Sequence, residues 1–354
     1  MDLVSLLERL TEPDGVSGCE RDAADVAVHE LEAFCDSVQI NKRGTVVGEI
    51  HGSGPKILLD AHLDRVGFVI THIEENGFLK FDKCGATDDR ILSGLPVKVM
   101  GERDVYGVIS CVPPHLADPK QAGKIPNISS LSIDTGLTSD DCKKLVSIGD
   151  RAVPVSKFTK LLGTKVSSAA LDDRSGMAVI LRAIDIMHAA FEKTGKKPNV
   201  VVTFSVQEEV GGHGAATAAF DADADTAIAV DVSFAHTPGC TAEETGEMGK
   251  GPMIGVSPVL SNALSKELIQ IAKRKDIPYQ YEIMTSRTGT HADEIAVCKS
   301  GVKTGLISLP LKYMHTPCEV IDINDLENCA GLIAAYCLSQ ADVTDSSVSG
   351  GDRS

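Results

Sequence analysis

Tryptophan is absent from this chain, and aromatic residues make up only 4% of its 354 positions. With so few rings, the core must be filled by Val, Ile, Leu and Ala, the composition of a parallel sheet buried under helices. Paired cysteines are missing too. Ten Cys are scattered along the chain, Cys19, Cys84, Cys142, Cys240 and Cys337 among them, without a single C-x-x-C. Zinc knuckles and thioredoxin-like redox motifs are thereby excluded, and most thiols are expected to serve as small core residues. There is no basic excess: 34 Lys and Arg face 50 Asp and Glu, for a net charge of -16. A surface built to neutralise nucleic-acid phosphates would carry the opposite sign. No apolar run approaches the ~18 residues of a membrane span. "MDLVSLLERLTEPDG" has acids where a secretory signal would have bases and a long apolar stretch. The expectation is a cytoplasmic protein that engages neither membrane nor nucleic acid.

What is present reads as alternating helix and strand. "CERDAADVAVHELEAFC" places Ala24, Ala27, Val28, Leu31 and Phe34 on one helical face. "TVVGEI" and "KILLDAHLD" read as strands. From about residue 67 to 162 the texture changes to short β-type pieces between Gly, Pro and Asp turns, such as "GFVITHI", "PVKVMG" and "SLSIDTG". Beyond it, "DRSGMAVILRAIDIMHAAF", "SNALSKELIQIAKRK", "HADEIAVCKS" and "NDLENCAGLIAAYCLSQ" read as helices. They alternate with the strands "NVVVTFSV", "TAIAVDV", "YQYEIM" and "KTGLISL". The pattern predicts an α/β domain made of residues 1–66 and 163–340, interrupted by a small β domain at 67–162. The tail at 341–354 has too few apolar residues to fold and is expected to be disordered.

In open α/β sheets ligands collect beyond the carboxyl ends of strands, and there the sequence concentrates chemistry. "ILLDAHLD" ends in His62 and Asp64, "SSAALDDRSG" carries Asp172 and Asp173 before a helix, and "VVTFSVQEE" ends in Glu208 and Glu209. "TAIAVDV" carries Asp231, and "LPLKYMHTPCE" carries His315. Taken singly these are ordinary surface groups or helix caps. Taken together, adjacent carboxylates at the end of an apolar strand need a strong positive charge to be tolerated. A pair of divalent ions supplies it, and imidazole with carboxylate suits Zn²⁺, Co²⁺ or Mn²⁺. Residues two apart on a strand point the same way, so Asp64 is placed to orient the far nitrogen of His62. Adjacent Glu208 and Glu209 point apart, which assigns Glu209 to metal and Glu208 to general acid–base work. "GSG" at 52–54 and "GGHG" at 211–214 are read as glycine turns, since neither leads into the Lys-Ser/Thr of a phosphate loop.

These segments, with "GATDDRILSGLPVKVMG", "DRAVPVSKFTKLLG", "VQEEVGGHGAATAAF", "MGKGPMI" and "LPLKYMHTPCEV", resemble the M42 metallo-aminopeptidases in order and wording over about residues 1–340. The resemblance implies a mixed sheet flanked by helices with an inserted, small β-barrel-like domain used for dimerisation. It implies two divalent metal ions per subunit, with Asp172 bridging them. Glu209 and His315 would complete one site, and His62 and Asp231 the other. Glu208 would be the catalytic base and Asp64 would orient His62. Short peptides would be the substrates, and homo-oligomers would build from dimers towards a tetrahedral dodecamer.

Three positions depart from the family pattern. An acid usual after H-x-D is Arg65 here, "GTHADE" has His291 in place of Asp, and His213 stands where Arg is common. Two readings compete with an aminopeptidase: another metal-dependent hydrolase on this scaffold (a deacylase or a carboxypeptidase), and an assembly protein without activity.

Overall fold

Burial is continuous from Ile57 to His62 on the strand Ser53–His62, so both of its faces are covered there, and this sets the architecture. In the computed structural model, which describes residues 1–113, 115–116 and 123–341, Ile57, Leu59 and Ala61 enter one apolar cluster and Leu58 enters another. A strand buried on both sides must lie inside a sheet covered by two helical layers. The sheet has eight strands in the order Ser37–Ile40, Val46–Ile50, Pro198–Ser205, Ser53–His62, Thr226–Phe234, Lys303–Leu311, Met253–Val256, Gln280–Ile283. Its four central strands, from Pro198–Ser205 to Lys303–Leu311, run parallel. Antiparallel pairings lie on either side of them, which makes the sheet mixed.

The larger cluster packs Leu171–Thr194 and Ile323–Gln340 on one face, together with Leu6, Leu7 and Leu10 of the N-terminal helix Leu3–Thr11. The smaller one packs Ala215 and Ala219 of His213–Ala222 and Ile295 of Ala292–Ala296 on the other. Six strands between Gly67 and Pro154 close into a barrel around Phe68, Ile70, Phe81, Val97 and Val99. Ahead of the expected exit near Leu162, Thr159–Lys160 already pairs with Lys165–Ser168, which in turn pairs with Glu319–Asp322. That three-stranded sheet sets Asp172 and Glu319 beside one another.

Several local expectations needed correction. "GGHG" does not merely turn: Gly212 caps the helix His213–Ala222. Gly214 is required there because a Cβ would meet the carbonyl oxygen of Val206 at 2.2 Å. "HADEIAVCKS" is helical only over Ala292–Ala296, and the left-handed Lys299 (φ 52°) follows soon after. The thiols divide. Cys142, Cys298, Cys329 and Cys337 are buried, but Cys19, Cys111, Cys240 and Cys318 are exposed, so core filling explains fewer of them than expected. The tail at 341–354 lies outside the described residues except for its first position. Among the described residues no helix is long and apolar enough to cross a membrane.

Leu59 is fully buried on a central strand. Leu59→Ala is expected to destabilise the fold by about 2–5 kcal/mol through lost burial and the residual cavity, measured as a lowered midpoint of chemical unfolding.

Candidate metal centre

The four parallel strands deliver their chemistry at one edge. Ser53–His62 ends in His62, Pro198–Ser205 leads to Glu208 and Glu209, Thr226–Phe234 carries Asp231, and Lys303–Leu311 leads to His315. Asp172 and Asp173 arrive from the opposite side, at the start of Leu171–Thr194, where the backbone departs from helical geometry and the peptide between them is cis. Ala170 (φ 59°), Gln207 (φ 62°) and His315 (φ 62°) are all left-handed. Such conformations cost of order 1 kcal/mol or more and persist where the surroundings hold them.

Asp172 is the centre of the arrangement. One carboxylate oxygen lies 3.0 Å from His62 Nε2, and the other lies 3.1 Å from His315 Nε2. Glu209 adds an oxygen 3.3 Å from the same His315 nitrogen, and Asp231 adds one 4.0 Å from His62 Nε2. The predicted ligands thus fall around the two ends of one carboxylate. Two donor groups have all their ligand atoms within 4.8 Å of one another: His62 with Asp172 and Glu209, and His62 with Asp173 and Asp231. Asp173, read from sequence only as a possible cap, therefore joins the donor set. Its oxygens also accept from the amides of His62 and Gly176, at 3.3 and 2.9 Å.

Asp64 does more than sequence reasoning assigned to it, and does it differently. The acceptor nearest to His62 Nδ1 is the main-chain carbonyl of Asp64 at 3.1 Å, with the carboxylate at 3.5 Å. That carboxylate instead accepts from the amides of Glu208 and Glu209, at 3.0 and 3.3 Å, and from Ser17 Oγ at 2.6 Å. It fixes the turn that aims both glutamates. Glu319 plays the matching part opposite, accepting from the amides of Asp172 and His315 at 3.2 and 2.8 Å. His315 Nδ1 is 2.7 Å from the carbonyl of Ala86, which ties the centre to the barrel domain.

The departures divide. His213 is exposed at a helix start. His291 is buried, with Nδ1 2.7 Å from Asp60 Oδ2, and its ring meets that of His62 edge-on at 5.9 Å. Asp60 is itself tied to Thr203 and Ser205. Sequence reasoning missed Asp60, although it shares a strand face with His62. Arg65 is buried.

The protonation pattern is that of a site short of positive charge. Burial pushes Glu209 up to about 7 and Glu319 up to about 8, and it raises Asp231 and Asp173 well above the carboxylate range. Burial opposes charge on His315 too, yet Asp172 and Glu209 raise it to about 11. Protons are recruited where the ligand set leaves a charge deficit. Glu209 Oε1 is in addition buried without a hydrogen-bond partner. Two imidazoles, several crowded carboxylates and an unpartnered carboxylate oxygen fit divalent metal. A cleft of about 1310 Å³ opens onto these groups, with Glu208 in its wall.

A parallel sheet edge that presents such donors beside a glutamate open to a cleft defines a metal-dependent hydrolase. Residues 44–332 match the profile of the M42 glutamyl aminopeptidases, and the chain belongs to that family. It is a peptidase of the aminopeptidase type, in a family that uses divalent metal. A lysyl aminopeptidase of Pyrococcus furiosus is 32% identical over 336 residues, 93% of this chain and 95% of the relative. An aminopeptidase from the archaeon Desulfurococcus kamchatkensis superposes with a TM-score of 0.88 at 33% identity over 96% of each chain. A Pyrococcus horikoshii TET1 peptidase that can assemble into a tetrahedron or a large octahedral shell gives 0.83 at 32% identity, over 95% of this chain and 99% of that one.

Asp64→Ala frees two half-buried amides and loosens the turn that carries Glu208 and Glu209. Removing an outer partner of this type typically lowers metal affinity about 10–100-fold. That loss is expected here, measured by competition with a chelator.

Proposed function

We propose that the protein is a two-metal aminopeptidase that removes N-terminal residues from short peptides. The observation that carries this reading is the split of Asp172, one oxygen towards His62 and one towards His315, as a carboxylate shared by two ions requires. One ion would be held by His62, Asp172 and Asp231, with Asp173 alongside, and the other by Asp172, Glu209 and His315. The donors accept Zn²⁺, Co²⁺ or Mn²⁺. Bound there, the ions supply Lewis acidity that polarises the scissile carbonyl and makes water acidic enough to attack near neutral pH. The chain's own groups do the rest. Glu208 takes the proton of the attacking water and returns it to the leaving amine. Asp64 keeps Glu208 in place through its amide, and Glu319 steadies Asp172 and His315.

The side chain beside the free amine has a defined neighbour. Glu282 reaches from the edge strand Gln280–Ile283 to Ser308 Oγ, 2.6 Å away, and lines the cleft. Ser308 pairs across the sheet with Asp231. The Glu282 carboxyl is raised by burial and eased by Ser233 and Ser308, so an entering cation would gain from its ionisation. Ser233 lies two residues beyond Asp231, about 7 Å along the strand, close to the reach of a lysine side chain. Arg287, also in the cleft wall, is occupied by Asp293 and Glu294. The cleft therefore favours a basic N-terminal residue, in line with the lysyl specificity named for the Pyrococcus furiosus relative.

Assembly into homo-oligomers, with the barrel as the dimer contact and a dodecamer as the end point, belongs to the same proposal. Its support is the exposed apolar set of the barrel strand Asp104–Ile109 and the connection after it, Tyr106, Val108, Val112, Leu116 and Ile125, and the shells into which the Pyrococcus horikoshii peptidase can assemble.

Glu208→Gln is expected to lower kcat on aminoacyl-p-nitroanilides by about 10²–10⁴ while metal content is retained. Equal turnover by the variant contradicts the assignment. Substrates with a blocked amine should resist the wild type, and cleaving them would favour a deacylase. Glu282→Gln is expected to lower the ratio of kcat/KM for lysyl over leucyl substrates at least about tenfold, the scale of one lost charge-assisted hydrogen bond.

A further inference from the structure

Arg65 is one of three departures from the family pattern, and the catalytic reading gives it no role. Its backbone is locked in place: its amide donates to the Gly15 carbonyl at 3.0 Å, and its carbonyl accepts from the Ser17 amide at 3.4 Å. Its side chain has no such provision. The residue is only 7% exposed, Nε is buried without a hydrogen-bond partner, and among the described residues no ion pair includes it. Three acids face it from a distance, Glu319, Asp14 and Glu209. Each is committed elsewhere. Asp14 is held by Lys98 at 2.6 Å, Glu319 accepts two amides, and Glu209 turns to His315.

A second cation deepens the imbalance. Arg174 is fully buried, donates to the carbonyls of Leu63 and Leu10, and keeps one terminal nitrogen without a partner. Burial first, and then the nearby Arg65 guanidinium, disfavour the charge on Arg174, and among the described residues no ion pair includes either arginine. A buried ion left without a partner is strongly disfavoured, and native proteins resolve it by pairing. Space for a partner exists. A second cleft, about 590 Å³ and separate from the catalytic one, opens between the N-terminal helix and the barrel, and Arg65 lines it. Its walls include Tyr106, Val155 and Phe158, Lys98 stands in it, and Ser168 offers a hydroxyl. Glu8, Glu12 and Asp14 also line it; Glu8 and Glu12 are exposed, Asp14 is held by Lys98, and among the described residues none of the three forms an ion pair with Arg65.

We infer that this cleft is a binding site for a small oxyanion, a phosphate or carboxylate group held by the Arg65 guanidinium. The guanidinium fork takes two oxygens of such a group side by side, which neither the surrounding carbonyls nor a single water reproduces. The apolar walls leave room for an organic portion attached to the anion.

The test uses the full-length, metal-loaded protein and inorganic phosphate or succinate as probes, with ionic strength held constant by sodium chloride. At millimolar concentration one or both probes should raise the thermal unfolding midpoint of the wild type by several degrees, and should give saturable heat in calorimetry. Arg65→Met should lose the response, and Arg65→Gln serves if the methionine variant folds poorly. A phosphate response alone identifies a phosphate site, and a succinate response alone a carboxylate site. Equal responses in wild type and variant place the anion elsewhere, such as at the catalytic ions, and overturn the inference. No response of the wild type to either probe overturns it too, whatever the peptidase assay shows.

Discussion

The whole active edge depends on the crowding of carboxylates around Asp172. Asp172, Asp173, Glu209, Asp231 and Glu319 come together from several parts of the chain, and the imidazoles of His62 and His315 stand in direct contact with them. Like charges at such distances repel strongly where water is excluded. Without cations the site gathers protons instead, as the raised Glu209, Glu319 and Asp231 show. Divalent ions bound there would replace those protons with charge that also does chemistry. On the proposed reading, the structural and catalytic roles of the metal follow from one electrostatic deficit.

The scaffold exists to hold that deficit in register. Four parallel strands buried on both faces fix the positions of His62, Glu208, Glu209, Asp231 and the loop to His315. The small sheet of Lys165–Ser168 and Glu319–Asp322 brings Asp172 and Glu319 from across the cleft. Hydrogen bonds then set orientation: Asp64 holds the amides of the two glutamates, and Glu319 holds those of Asp172 and His315. The barrel contributes through Ala86, whose carbonyl meets His315. The barrel, with an apolar cluster of its own, is thereby joined to the candidate centre.

Much of this was legible in the sequence wherever the signal was local. H-x-D at the end of one apolar run and two glutamates after another mark where strands deliver their chemistry, although the aim of the glutamates is set by the turn beyond Ser205. The change of texture at residue 67 coincides with the first barrel strand, because short strands between turn residues leave a compositional trace. What escaped depends on register between distant segments. Glu319 stood beside His315 in a stretch read only for its histidine, since nothing local says that its carboxylate caps the Asp172 amide. Asp60 gains meaning only when the fold brings His291 onto it. Asp173 reads as a helix cap until the distorted backbone beside it turns it towards His62. The helix after "GGHG" was hidden by its glycines, one of which is needed for the close approach to Val206.

The most direct test of the central claim is anomalous X-ray scattering from crystals grown with zinc or cobalt, recorded at the metal's absorption edge. The account predicts two peaks in each subunit, one on either side of the Asp172 carboxylate, with His62 and Asp231 around the first and Glu209 and His315 around the second. No peak there, or a single one that leaves His315 and Glu209 without an ion, would contradict it.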